Sequence, residues 1–271
     1  MTRKTTGPSA ADDAEAARAG RGTPQTESPT YRLAYDDPEF VLEDELRGVR
    51  LMLEYLKPEL ALREAGIRST VVVFGSTRIG NQASRATGKT ARELREYYAH
   101  AQRFGALVST LAMPNDTPRC VVMTGGGPGI MEAANRGAAE AGRPSIGLNI
   151  VLPREQSPNT YASPELTFQF HYFALRKLHF LLRARALVAF PGGFGTLDEV
   201  FEALTLLQTG RIAPMPVLLF GERYWRRIVD FDAMVEYGVI AADDRELFQF
   251  VDTPEDAVAI IAGHCAGAAD R

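Results

Sequence analysis

A doubly wound α/β domain is the fold class this sequence predicts, and three observations predict it. From Ser69 onward, short and nearly continuous apolar runs alternate with amphipathic stretches, the pattern of a parallel sheet covered by helices on both faces. Three of the runs end in special turns that lead into helical patterns: Gly75-Ser76-Thr77, Thr124 through Gly129, and Pro191 through Thr196. No repeat of solenoid period is present, and no apolar stretch approaches the length of a membrane span.

Composition bounds the rest. The chain has 271 residues, 45% hydrophobic and 24% charged, which suits one large globular domain or two small ones. A net charge of −4 provides no electrostatic footprint for nucleic acid or an anionic membrane, so neither is expected as a partner. Cys120 and Cys265 have no metal or redox spacing and define no disulfide framework. With no apolar signal core, and with Asp12, Asp13 and Glu15 near the start, a cytoplasmic setting is expected.

The elements follow in order. Residues 1–30 are rich in Ala, Gly, Thr, Ser and Pro, and are expected to be a disordered tail with too little to bury. Residues 31–68 form a helical extension. One helix opens at Asp36-Asp37-Pro38-Glu39 and continues through Phe40, Leu42, Leu46, Val49, Leu53 and Leu56. A second, short helix runs from Pro58 to Ala65 and stops at Gly66. The α/β domain then occupies residues 69–271, with strands at Val71–Phe74, Cys120–Met123, Ser145–Leu152, Leu166–Phe170, Leu187–Phe190 and Val217–Phe220. Helices are expected at Lys89–Phe104, Ile130–Ala141, Arg176–Ala184 and Leu197–Gln208, with others starting near Tyr224 and Pro254.

In such a sheet the ligand site lies beyond the carboxyl ends of the strands, where the three turns converge. Glycines let the backbone approach an anion, and a helix start offers unpaired N–H groups with partial positive charge. The second turn lacks the Gly-x-Gly-x-x-Gly dinucleotide spacing, and none ends in the Lys-Ser/Thr of a triphosphate loop. A mononucleotide or sugar phosphate is therefore the expected ligand. Candidate contacts are Gly75, Ser76, Gly126, Gly127, Gly129, Gly192, Gly193, Gly195 and Thr196, with Asn149 and Arg154 as weaker ones.

Glu199 carries two readings. Thr196-Leu197-Asp198-Glu199 fits a capping box, in which the glutamate reaches back to the helix start. It equally fits a carboxylate beside a bound ribose. Arg176 and Lys177, on the element before the strand that feeds the proline-glycine turn, can reach a phosphate or base. His171 and His179 have no metal-ligand partners at suitable spacing, so no metal site is expected, and both read as structural. Met131 and the segment Phe168–Phe173 are candidates for the base pocket.

Three motifs together, Gly125-Gly126-Gly127-Pro128-Gly129-Ile130-Met131-Glu132, Arg176-Lys177 and Pro191-Gly192-Gly193-Phe194-Gly195-Thr196-Leu197-Asp198-Glu199, resemble the Lonely Guy (LOG) family from about Ser69 to Ala262. The resemblance implies a Rossmann-like fold, no required cofactor and a homodimer or larger assembly of dimers. It implies cleavage of the N-glycosidic bond of purine nucleoside 5′-monophosphates, either AMP or N6-modified cytokinin nucleotides, to free base and ribose 5-phosphate. Arg176 and Glu199 match the catalytic arginine and glutamate, and the glycines with Thr196 match the phosphate site. Glu132 stands where many plant members have glycine, which, with the N-terminal helices, resembles the longer bacterial branch. The "lysine decarboxylase" label that many members carry finds no support here, since Lys177 lacks the histidine-lysine context of a pyridoxal-phosphate enzyme. A non-catalytic nucleotide-binding or molybdenum-cofactor-binding protein of the same fold is the alternative.

Overall fold

The computed structural model describes residues 7–20, 22–80, 88–111, 120–153 and 157–268. It divides into two compact units, one through Leu56 and one from Lys57.

The first unit is helical. Residues expected to lack order form α1 (Ala10–Ala19), capped by Ser9, whose hydroxyl accepts from the Asp12 N–H while Asp12 reaches back. Alanine-rich sequence with a capping box is enough to favour a helix that buries little. After α2 (Pro24–Glu27) comes α3 (Pro38–Val41), capped by Asp37. The predicted continuous helix from Asp36 breaks after Val41, where the Arg50 guanidinium donates to the Val41 and Glu43 carbonyls and so satisfies the open helix end. The chain resumes as α4 (Arg47–Glu64), inside which the unit boundary falls. Pro58 therefore does not start a second helix. It sits inside α4, and the fully buried Leu62 anchors the turn that follows it.

The second unit alternates β1 (Thr70–Phe74), α5 (Gly88–Ser109), β2 (Val121–Thr124), α6 (Ile130–Glu140), β3 (Ser145–Ile150), β4 (Thr167–Phe170), α7 (Phe173–Leu182), β5 (Ala184–Ala189), α8 (Phe194–Gln208) and β6 (Val217–Phe220). Then follow α9 (Glu222–Ile228), α10 (Phe231–Glu236), β7 (Gln249–Val251) and α11 (Pro254–Ala268). Among the described residues, seven strands form one sheet, all parallel, in the order β4-β3-β2-β1-β5-β6-β7. After β4 the chain returns to the middle and places β5 beside β1, pairing Phe74 with Ala189. That reversal is a topological switch point, and it opens a crevice between the loops that follow β1 and β5.

Period-two alternation builds two cores. Val72, Phe74, Met123, Leu148, Leu187 and Leu219 face one side, packed with Phe180, Val200 and Trp225. Val71, Val73, Val122, Val188 and Phe220 face the other, packed with Phe104, Ile130 and Ile261. On that second side α5 and α6 approach closely, because a Cβ on Gly137 would lie 2.8 Å from the Ala106 nitrogen. Cys120 and Cys265 are buried, unbonded thiols in the same layer.

Candidate active site

The β1 and β5 loops are tied together beyond their strands. The Phe190 N–H donates to the Phe74 carbonyl at 2.9 Å, and the Ser76 N–H to the Pro191 carbonyl at 3.0 Å. Gly75 has no room for a side chain, since a Cβ would lie 2.6 Å from that of Ile130. The Ser76 hydroxyl accepts from the Arg78 N–H at 3.1 Å, turning the chain sharply at the strand end.

Gly193 is the N-cap of α8 and offers no side-chain cap, so the helix begins at Phe194, earlier than the sequence suggests. Thr196 is thus already inside the first turn, and its N–H donates to the Gly193 carbonyl at 3.0 Å. The capping-box reading fails for this reason: with the cap two glycines upstream, Glu199 lies in the second turn and cannot reach the helix start. Thr196 instead packs over Gly192, whose Cβ would lie 2.6 Å from that of Thr196. The Tyr224 hydroxyl donates to the Gly192 carbonyl at 2.6 Å and pins the loop from the far side.

Glu199 is 8% exposed. Burial pushes its carboxyl up to about 7, against the opposing pull of the Lys177 and Arg176 charges. Arg176, in the first turn of α7, donates from Nε to the Leu148 carbonyl at 2.8 Å and lays its guanidinium over the Phe180 ring. Its Nη2 fills the space where a Cβ on Gly125 would stand, so the first glycine of the triple makes room for this cation. Lys177 points elsewhere: its Nζ pairs with Asp198 at 2.7 Å and Glu202 at 3.0 Å on α8. Adjacent helix positions lie about 100° apart, so Lys177 faces α8 and not the wall that Arg176 forms.

These groups wall a cleft of about 680 Å³ at the switch point. Gly75, Ser76, Arg176, Gly192, Gly193, Gly195, Thr196 and Glu199 all line it, and so do Met131 and Phe173 from the expected base pocket. Gly126, Gly127 and Gly129 do not. Gly126 and Gly129 have φ of 69° and 74°, conformations costly for any other residue. A Cβ on Gly126 would strike the Asn149 side chain, and one on Gly129 the Thr77 backbone. Asn149 is therefore a packing partner of the loop, and Arg154 lies outside the described residues.

A buried polar network holds this second loop. Asn135 accepts from Thr124 Oγ1 at 2.7 Å and from Asn159 Nδ2 at 3.0 Å, and donates to Ser145 Oγ at 2.9 Å. The Asn159 N–H donates to the Gly126 carbonyl at 2.8 Å. Of the histidines, His179 is fully buried against Phe170, and His171 meets the Tyr172 ring edge-on. Glu132 accepts from the Tyr98 hydroxyl at 2.9 Å. Among the described residues no group of His, Cys, Asp or Glu could hold a metal ion, and no helix is long and apolar enough to cross a membrane.

Sequence reasoning missed Arg78, Tyr224, Ile150, Leu152 and Ile228 as cleft residues. For Tyr224 a signal existed: Phe220-Gly221 ends β6, a fourth strand end at the same sheet edge.

A seven-stranded parallel sheet with its cleft at the switch point defines a Rossmann-like α/β protein. The family model described as "Possible lysine decarboxylase" matches residues 131–261. Over 142 residues the chain is 32% identical to cytokinin riboside 5′-monophosphate phosphoribohydrolase LOG3 of Arabidopsis thaliana, covering 51% of this chain and 64% of the relative. It is 31% identical over 142 residues to the probable phosphoribohydrolase LOGL2 of Oryza sativa subsp. japonica, again 51% of this chain and 57% of the relative. Among solved structures it is similar to the molybdenum cofactor binding protein of Rippkaea orientalis, with a TM-score of 0.48 and 20% identity over 73% of this chain and 98% of that one. In its motifs and in these matches the chain is similar to the LOG proteins. It spans less than two thirds of the length of either plant relative.

Proposed function

We propose that this chain is a phosphoribohydrolase that hydrolyses the N-glycosidic bond of purine nucleoside 5′-monophosphates. The observation that carries the reading is Glu199, a buried carboxylate brought up to about 7, sharing one cleft with Arg176 and the uncapped start of α8. A site that only bound phosphate would gain nothing from an acid beside the anion. A group titrating near neutrality is suited to accept and return a proton.

The 5′-phosphate rests on the loop Gly192–Gly193 and the first N–H groups of α8, where helix and anion attract. Far from the reacting bond, this contact orients the sugar. The C1′–N9 bond breaks with its electron pair going to the base, and positive character develops on the ribose. The Glu199 carboxylate stabilises that charge and takes a proton from the attacking water, whose oxygen bonds C1′. Net, water's hydroxyl ends on C1′ and its proton on the base. Arg176 steadies the departing base.

Incubating the protein separately with AMP and with N6-isopentenyladenosine 5′-monophosphate, and following free base by chromatography, tests the proposal and ranks the two bases. Free base and ribose 5-phosphate in equal amounts are expected. Nucleotides left intact by protein that binds them would support the binding-only alternative.

A further inference from the structure

The charges of the cleft leave one cation without a task. Among the described residues, four charged side chains line it: Arg78, Arg176, Asp198 and Glu199. Arg176 is engaged with the Leu148 carbonyl, and Asp198 is neutralised by Lys177 outside the cleft. Arg78 stands exposed on the β1 loop, and it takes part in no salt bridge among the described residues. The turn at Ser76 sets its backbone, and the bond from Ser76 to Pro191 joins that turn to the proline-glycine loop.

Charge balance gives this cation a purpose. A phosphate monoester carries roughly −1.5 to −2 at neutral pH, whereas a helix start supplies only about half a positive charge. Glu199, on the same helix, repels the same anion whenever it is ionised. A full positive charge on the opposite wall would restore the balance, and a guanidinium holds phosphate in a two-pronged fork.

Resting on the phosphoribohydrolase reading of this cleft, we propose that Arg78 is the specificity-determining residue that grips the 5′-phosphate and so selects nucleotides over unphosphorylated nucleosides. Its contribution is to binding, so its loss raises KM far more than it lowers kcat.

Steady-state kinetics on AMP with Arg78→Ala and Arg78→Lys, together with inhibition by ribose 5-phosphate, test this. One charge-assisted contact corresponds to about ten- to hundredfold in affinity. The alanine variant should raise KM for AMP and the inhibition constant of ribose 5-phosphate together by that factor, and lysine should recover part of it. Both constants staying within about twofold, or a fall confined to kcat, would overturn the assignment. Should the wild-type protein release no base at all, calorimetric binding of AMP separates the questions. Weaker binding by Arg78→Ala would then support the grip without the hydrolysis, and equal binding would refute it.

Discussion

The loops after β2 and β5 read almost alike in the sequence, each a run of glycines between an apolar strand and a helix, yet they do opposite things. The proline-glycine loop turns its glycines to the cleft: Gly193 and Gly195 have open space where a Cβ would be. The triple-glycine loop turns Gly126 and Gly129 into the protein, against Asn149 and the Thr77 backbone, and leaves only Gly125 on the cleft wall. Glycine is required at the second loop by packing and backbone conformation, whereas at Gly193 and Gly195 of the first nothing in the protein fills the space a side chain would take. A glycine motif therefore announces unusual backbone, while position against the sheet decides whether a ligand meets it.

The largest expected effect tests whether the proline-glycine loop belongs to the reacting centre. Glu199→Gln keeps the shape and removes the charge, and should lower base release by about 10²–10⁴-fold, the range of a lost acid–base group. Activity within threefold of wild type would break the contrast between the loops at its root.

The glycines give the next test. Gly126→Ala forces an alanine into a left-handed conformation and against Asn149, and should cost about 2–4 kcal/mol in urea unfolding. Gly193→Ala, with φ of −93° and free space, should change stability by less than about 0.5 kcal/mol while raising KM for AMP. Equal destabilisation of the two variants would erase the difference between the loops.

Dependence on pH follows from Glu199. Its carboxyl in the folded protein titrates near 7, above its ordinary 4.5, so the folded state holds this proton more tightly. Stability from that proton is fully present below pH 4.5 and lost as pH rises through 7, up to about 3 kcal/mol. Wild type should therefore lose stability relative to Glu199→Gln between pH 5 and 8, as thermal melts at several pH values would reveal. If Glu199 acts as proposed, in its ionised form, base release should rise over the same interval. A profile flat from pH 5 to 8 would contradict both.

The smallest effect concerns Lys177. Its charge draws the Glu199 carboxyl downward from α7. Lys177→Met should move the pH midpoint of activity upward by less than about one unit and leave KM for AMP nearly unchanged, as befits a partly exposed ion pair. A large rise in KM would return Lys177 to the phosphate site.

Much of the fold was legible because it is repeated locally. Val71–Phe74 and Leu187–Ala189 could only be buried strands, and the turns after them could only be strand-to-helix junctions. Local signals failed where tertiary packing overrode them. Pro58 signals a helix start, yet the helix runs through it; β7 is too short for alternation to register; and a strand's place in the sheet leaves no mark on its own residues. Arg78 directly follows the first of the three turns and Tyr224 a fourth strand end, and only the placing of those strands in the sheet brings both to the cleft.

The sequence by itself determined a parallel α/β sheet and three glycine junctions, since alternation, glycine spacing and helix periodicity are properties of neighbours along the chain. Only the tertiary structure decided that β5 lies beside β1, that Gly126 and Gly129 face inward, that Lys177 turns to α8, and that Glu199 is buried beyond the reach of capping. Those outcomes depend on which surfaces meet across the sheet, and burial, which moves a carboxyl to neutrality, exists only after they have met.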